Sequence, residues 1–126
     1  LVRRTKRLID QPVTVAENYA WWAEHGAELA AEVDFLGVHT YPQWEEKTID
    51  EALEYTIENI RGVKAALPDK PIAIVCHTHR RSQKAARLLA RQGFSDVHVV
   101  RGGMMAWHAA GEPVSLDQQM QEDRHA

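Results

Sequence analysis

The chain has 126 residues and a mass of 14.3 kDa, with 44% hydrophobic and 26% charged residues, the composition of one soluble globular domain. It lacks any apolar run of about 18 residues, and its basic start LVRRTKRLID has no apolar signal core, so the expectation is a cytoplasmic protein with no membrane partner. The net charge of −3 divides into an acidic stretch 1–70, with 8 Lys/Arg against 13 Asp/Glu, and a mildly basic stretch 71–126, with 7 against 5; the cluster Arg3, Arg4, Lys6, Arg7 is too short for a nucleic-acid surface.

In chain order, residues 1–10 read as the end of a basic helix or a frayed terminus. Pro12 to Ala16 is short and β-branched, the pattern of a buried strand. Asn18 can cap a helix over Tyr19–Ala31, and the next strand, Val33–Thr40, stops at Tyr41-Pro42. Thr48 stands three residues before Glu51 in a capping-box pattern, which opens a helix over Ile49–Leu67. A third strand spans Pro71–Val75 and carries Cys76 at its C-terminal end. Ser82 or its neighbours open the helix SQKAARLLARQ, which Gly93 ends in a left-handed cap. Asp96–Val100 is a fourth strand, Gly102-Gly103 a turn and Met104–Ala110 a last helix; the tail 115–126 is polar and expected to be flexible. Strands alternating with helices predict a single α/β domain over 1–126, with a four-stranded, mainly parallel open sheet and right-handed crossovers. A half-barrel that dimerises is the alternative arrangement.

Cys76 is the one cysteine, so an intramolecular disulfide and a multi-thiolate zinc site are excluded. Set between a strand end and a helix start, its sulfur faces the unpaired N–H groups and positive end of that helix, and both favour the thiolate. The segment His77-Thr78-His79-Arg80-Arg81 is polar and basic, which favours the thiolate further and attracts an anionic substrate. The plain alternative is a small buried hydrophobe finishing its strand. Cys76, His77 and His79 can be drawn as soft metal ligands, but no fourth ligand has a suitable spacing, so no metal is expected.

Residues Cys76 to Ser82, followed by QKAARLLARQGFSDVHVVRGGMMAWHAAGEPV, closely resemble the C-terminal half of a rhodanese domain. There Cys-x4-Arg-Ser opens a helix and Gly-Gly-x-x-x-Trp follows the next strand. The resemblance runs from about 71 to 114. It implies that Cys76 takes a sulfane sulfur from a small anionic donor such as thiosulfate, holds it as a persulfide, and passes it to an acceptor such as a thiol, without a cofactor. It further implies that His77, Thr78, His79, Arg80 and Arg81 form a cradle that Arg81 and Ser82 close. His79 departs from the glycine found in many members, and a loop needing positive φ there would strain a histidine. Cysteine-dependent phosphatases use a similar loop with five residues between Cys and Arg; the four between Cys76 and Arg81 make a tighter cradle, suited to sulfur rather than phosphate.

The front half lacks the Asp-x-Arg strand end and the Gly-His-Ile-x-Gly-Ala turn of rhodaneses. Residues 11–74, with Val-Asp-Phe-Leu-Gly-Val-His-Thr-Tyr-Pro and the Trp44-Glu45 pair, instead resemble the fifth to seventh βα units of a family 17 glycoside hydrolase, a (β/α)8 barrel. In that family the strand Pro-Ile-Ala-Ile leads to the nucleophilic glutamate, whose slot Cys76 takes here. The general acid is absent too, so no glycosidase activity is expected, because retaining hydrolysis needs two carboxyl groups. Glu17, His39, Tyr41 and Trp44 read as remnants of a sugar-binding rim, or as ordinary strand-end and packed residues.

The two resemblances meet at Pro71–Val75, and the chain reads as a recombined or engineered chimera whose sulfurtransferase activity is weak or absent. A natural sulfurtransferase with a divergent front half is the second reading. A monomer is favoured over a homodimer, with residues 1–10 or the last helix expected to cross and cover the sheet face that barrel-like units leave bare.

Overall fold

The computed structural model describes residues 1–112; the tail 115–126 and the end of the rhodanese-like stretch at Val114 lie outside the described residues. Ten elements follow in order: α1 (Val2–Leu8), β1 (Ala16–Asn18), α2 (Tyr19–His25), α3 (Ala27–Glu32), β2 (Leu36–His39), α4 (Ile49–Ala66), β3 (Ile72–Ile74), α5 (Arg80–Arg91), β4 (Val97–Val99) and α6 (Gly103–Ala109). All four strands are parallel, and the sheet order β1-β2-β3-β4 is the sequence order, an open α/β sheet. Among the described residues no helix is long and apolar enough to cross a membrane.

Several boundaries differ from those read in sequence. The strand expected at Pro12–Ala16 enters the ladder only at Ala16, because Pro12 has no N–H and the Val13 N–H is taken by the Asp34 carboxylate at 2.7 Å. The carbonyls of Val13 and Val15 still accept from Asp34 and Gly37, at 2.9 and 3.3 Å, so this segment runs extended beside β2. The helix expected over Tyr19–Ala31 breaks at Gly26 into α2 and α3. A Cβ at Gly26 would stand 2.6 Å from both Cε3 and the carbonyl of Trp22, so only glycine lets the chain pass under that indole. The strand expected at Val33–Thr40 shortens to β2, and α5 opens at Arg80, two residues before Ser82. Thr48 caps α4 with the full reciprocal box: its hydroxyl accepts from the Glu51 N–H, while the Glu51 carboxylate accepts from the Thr48 N–H.

Leu36, Ile72 and Val97 stand opposite one another in register, and this row packs with Trp22, Ile57, Ile60, Val63 and Leu89 in one core. Sequential strand order with right-handed crossovers brings the helices between strands to this one face. The opposite row, Ala16, Gly37, Ala73 and His98, is exposed at both ends. Neither expected cover crosses there. Segment α1 is tied elsewhere by Arg3–Glu32 and Lys6–Asp34 ion pairs at 2.6 and 2.9 Å, and the N-terminal N–H groups of α6 bind the carbonyls of Cys76 and His77.

The ladders also differ in length. Pairing of β1 with β2 continues to Asn18↔His39 and that of β3 with β4 to Ile74↔Val99, whereas β2 and β3 pair only at Leu36↔Ile72 and Gly37↔Ala73. Beyond those pairs the two central strands part toward their C-terminal ends.

Trp22 joins these parts: it is fully buried, and its indole N–H donates to the Gly37 carbonyl at 2.9 Å. Replacing it with phenylalanine removes that bond and part of the buried ring, so Trp22→Phe is expected to lower the stability measured by urea unfolding by on the order of 2 kcal/mol without changing the fold.

Candidate functional site around Cys76

Cys76 lies two residues beyond β3, and the chain turns at once into α5. The turn is made at His79, whose φ of 75° and ψ of −11° are left-handed, the conformation a glycine would adopt freely. That histidine stores about 1 kcal/mol of backbone strain or more. Its Nδ1 is buried without a hydrogen-bond partner among the described residues. The turn brings the first turn of α5 back over the sulfur.

Ser82 is 1% exposed, and its N–H donates to Cys76 Sγ at 3.4 Å while its hydroxyl oxygen lies 3.4 Å from the same sulfur. The hydroxyl also stands 3.0 Å from the His79 carbonyl. One proton cannot serve both acceptors. When the thiol is protonated its S–H can donate to Oγ and the hydroxyl to His79; when the sulfur is ionised, the hydroxyl turns to it. The His79 carbonyl is not stranded by that change, because the Gln83 N–H still donates to it at 2.9 Å. The Cys76 pKa is lowered from 9.0 to about 6, foremost by the Ser82 hydroxyl, against partial burial that raises it, and then by the backbone N–H groups of Ser82, Thr78 and Arg81.

A second element holds the turn from the other side. The α6 N–H groups of Met104 and Met105 donate to the carbonyls of Cys76 and His77, both at 2.9 Å. This approach is possible because residue 103 is glycine with a φ of 62°: a Cβ there would be driven into the Cys76 and His77 carbonyls. The sequence marked Gly102-Gly103 as a turn but not as a contact with the cysteine loop. The signal was present, since paired glycines before a short helix often mean close backbone approach.

Of the residues singled out in sequence, Cys76, Arg81 and Ser82 line one shallow pocket with Ile74, Val75 and Ala85. His77 and Arg80 are exposed, Thr78 presents its N–H, and His79 supplies the turn and a carbonyl. Among the described residues Cys76, His77 and His79 do not form a group placed to hold a metal ion. A separate cleft of ≈ 330 Å³ lies where β2 and β3 part, and it shares Ile74, Val75 and Ala85 with the thiol pocket. His39 and Tyr41 line this cleft, and Trp44, 76% exposed, stacks on Tyr41 with ring centroids 4.3 Å apart. Glu17 is exposed on β1 and does not line the cleft.

Two measurements check this geometry. Because the thiolate is the reacting form, the iodoacetamide rate should rise with pH through about 6 and level off near neutrality, and Ser82→Ala should move that midpoint upward, toward the range of an ordinary thiol. Gly103→Ala forces either α6 or the Cys76 loop to move; thermal unfolding should show a loss on the order of 2 kcal/mol, together with slower alkylation near neutral pH.

Comparison with known proteins agrees with the loop. The chain matches the family model of the rhodanese-like domain over residues 23–110. It is 41% identical over 63 residues to the thiosulfate sulfurtransferase GlpE of Shewanella oneidensis, covering 49% of this chain and 62% of that protein. The GlpE proteins of Vibrio cholerae and Pseudoalteromonas translucida are 44% and 52% identical over 46 and 42 residues, covering 36% and 33% of this chain and 43% and 40% of theirs. The chain thus spans about half the length of the curated relatives it matches. No solved structure matches it. The family match includes residues 23–70, the greater part of the stretch read from sequence as a glycosidase barrel, so a junction of two families at Pro71 finds no support in these comparisons. The α/β fold, the Cys76 loop and a match over more than half of its length place this chain in the rhodanese-like domain family.

Proposed function

We propose that the chain is a sulfurtransferase that carries a sulfane sulfur on Cys76, with a small anionic donor of the thiosulfate type. The observation that carries this reading is the convergence of the Ser82 hydroxyl and N–H on Cys76 Sγ, each at 3.4 Å, within a Cys-x4-Arg-Ser loop. The similarity to thiosulfate sulfurtransferases supports the choice of donor.

The reaction divides into two displacements. The Cys76 thiolate attacks the outer sulfur of thiosulfate, the S–S bond of the donor breaks, and sulfite leaves with the bonding pair. Cys76 then holds a persulfide whose terminal sulfur is anionic. A thiol acceptor, as its thiolate, attacks that terminal sulfur, and Cys76 leaves as the thiolate it was at the start; the acceptor's proton goes to solvent. No external oxidant or reductant enters. Two anions meet in the first step, and Arg80 and Arg81, both exposed on the first turn of α5, offset that repulsion. His77, Thr78 and His79 complete the cradle, which holds the charge on either sulfur by backbone donors rather than by a metal or a cofactor.

The activity is weak, because the thiol pocket is shallow and the front half lacks the Asp-x-Arg strand end of other rhodaneses. A monomer suffices, since Cys76, Ser82 and the α6 clamp belong to one chain. A reducing compartment such as the cytoplasm suits a lone thiol. A phosphatase reading draws nothing from the loop, which has only four residues between Cys76 and Arg81.

Intact-protein mass spectrometry after thiosulfate treatment tests the proposal. A gain of about 32 Da, one sulfur atom, is expected on Cys76, removable by dithiothreitol and absent in Cys76→Ala. Sulfur transfer surviving in a folded Cys76→Ala protein would assign the chemistry to another residue.

A further inference from the structure

The cleft between β2 and β3 adjoins the thiol pocket through shared residues beside Cys76. Its position follows from the short ladder: β2 and β3 separate after Gly37↔Ala73, although each remains paired with its outer neighbour for one or two residues more. The space is closed by α4 through Thr56 and Ile60 and by α5 through Ala85 and Leu89. Ile74, Val75 and Ala85 form its boundary with the pocket of Cys76.

Charge separates the two spaces. The donor side carries Arg81, with Arg80 beside it, whereas no Lys, Arg, Asp or Glu among the described residues lines the cleft. The polar side chains among its lining residues are the hydroxyls of Thr40, Tyr41 and Thr56 and the imidazole of His39; Thr40 already accepts from Asn59 at 3.0 Å and Thr56 donates to the Ala52 carbonyl at 2.8 Å. A charged occupant would lose its hydration there without a counter-charge. At ≈ 330 Å³ the cleft is large enough for an aromatic ring or a short alkyl chain. Tyr41 and the exposed Trp44 stacked on it extend the apolar surface outward.

We propose that this cleft is the acceptor subsite, and that the preferred acceptor is an uncharged small organic thiol with an aromatic or alkyl tail. The tail lies between β2 and β3 and the thiol reaches across Val75 to the persulfide on Cys76. The inference rests on the sulfurtransferase reading and adds the class of acceptor to it. The acceptor thiolate forms a bond to the terminal sulfur, the bond from that sulfur to Cys76 Sγ breaks, and the products are the acceptor's persulfide and the Cys76 thiolate. Anionic donor and apolar acceptor thus enter by different sides.

The test uses the full chain loaded with thiosulfate and freed of excess donor. Loss of the persulfide is timed with benzyl mercaptan and with 2-mercaptoethanol, rates being compared per thiolate present. Burial of the ring should give benzyl mercaptan an advantage of about 10-fold. Thr56→Phe, which fills the cleft from α4, should bring the ratio near one; a ratio near one in the original chain, or an advantage kept in the folded variant, overturns the proposal. Amide shifts during titration with benzyl alcohol give a readout that needs neither persulfide nor variant. Saturable shifts at Thr40, Thr56 and Val75 support the subsite and their absence refutes it. Shifts at those amides that instead follow protein concentration assign the cleft to a second copy, and contacts there from residues 113–126 assign it to this chain's own C-terminal segment; either result overturns the proposal. Failure to form any persulfide, with benzyl alcohol still bound, counts against the sulfurtransferase reading alone.

Discussion

A sulfur anion at the end of a strand persists only while N–H and O–H donors stay aimed at it, and in this protein that requirement shapes everything near Cys76. Apart from the Thr78 N–H in the loop, the donors belong to the first turn of α5, which must double back over the thiol within a few residues. Doubling back requires a left-handed residue, and His79 takes that conformation at a cost in strain. The strain is held by a packed surround: β3 is fixed between β2 and β4, and α6 clamps the loop carbonyls through its own first N–H groups. Ser82 is buried because it must stand between the sulfur and the His79 carbonyl and serve whichever needs its proton.

The sheet serves that loop at some loss of cover. Sequential parallel order collects the core on one face, where Trp22, Leu36, Val63 and Ile72 are fully or almost fully buried, and leaves the other row exposed at Ala16 and His98. Lys64 ties the end of α4 to the start of β4, with Asp96 at 2.5 Å and the Pro68 and Lys70 carbonyls at 2.9 and 2.7 Å. The parting of β2 and β3 places open space beside the reactive group rather than at the sheet's edge. An anion-binding cradle and a cleft free of charged side chains, with a common wall at Val75, give two different chemical environments within reach of one sulfur.

Much of the element order was legible because its signals are local. The Thr48–Glu51 box, the positive φ of Gly93 and the Cys76–Ser82 spacing depend on neighbouring residues, and each is present as read. The strand at Pro12–Ala16 was misplaced because β-branched composition reports burial, whereas a ladder needs free N–H groups, and Pro12 and Asp34 remove two of them. The unbroken helix over Tyr19–Ala31 failed at Gly26 because its composition favours helix throughout, and only the buried indole of Trp22 demands a bare backbone there. The barrel resemblance of residues 11–74 drew on alternating βα units and sequential strands, features that different parallel folds share.

By itself the sequence determined the class of fold, the place of the thiol at a strand end, and the basic, serine-closed loop that follows it, since these rest on periodicity and short spacings. Tertiary structure alone decided that α6 reaches back to hold the Cys76 and His77 carbonyls, that Gly103 must lack a side chain for it to do so, and that β2 and β3 part to open a cleft. Those features join residues roughly 26 to 36 positions apart in the chain. Their energies arise from contacts that exist only once the sheet has formed, and no local pattern encodes a distance between segments that the chain has not yet brought together.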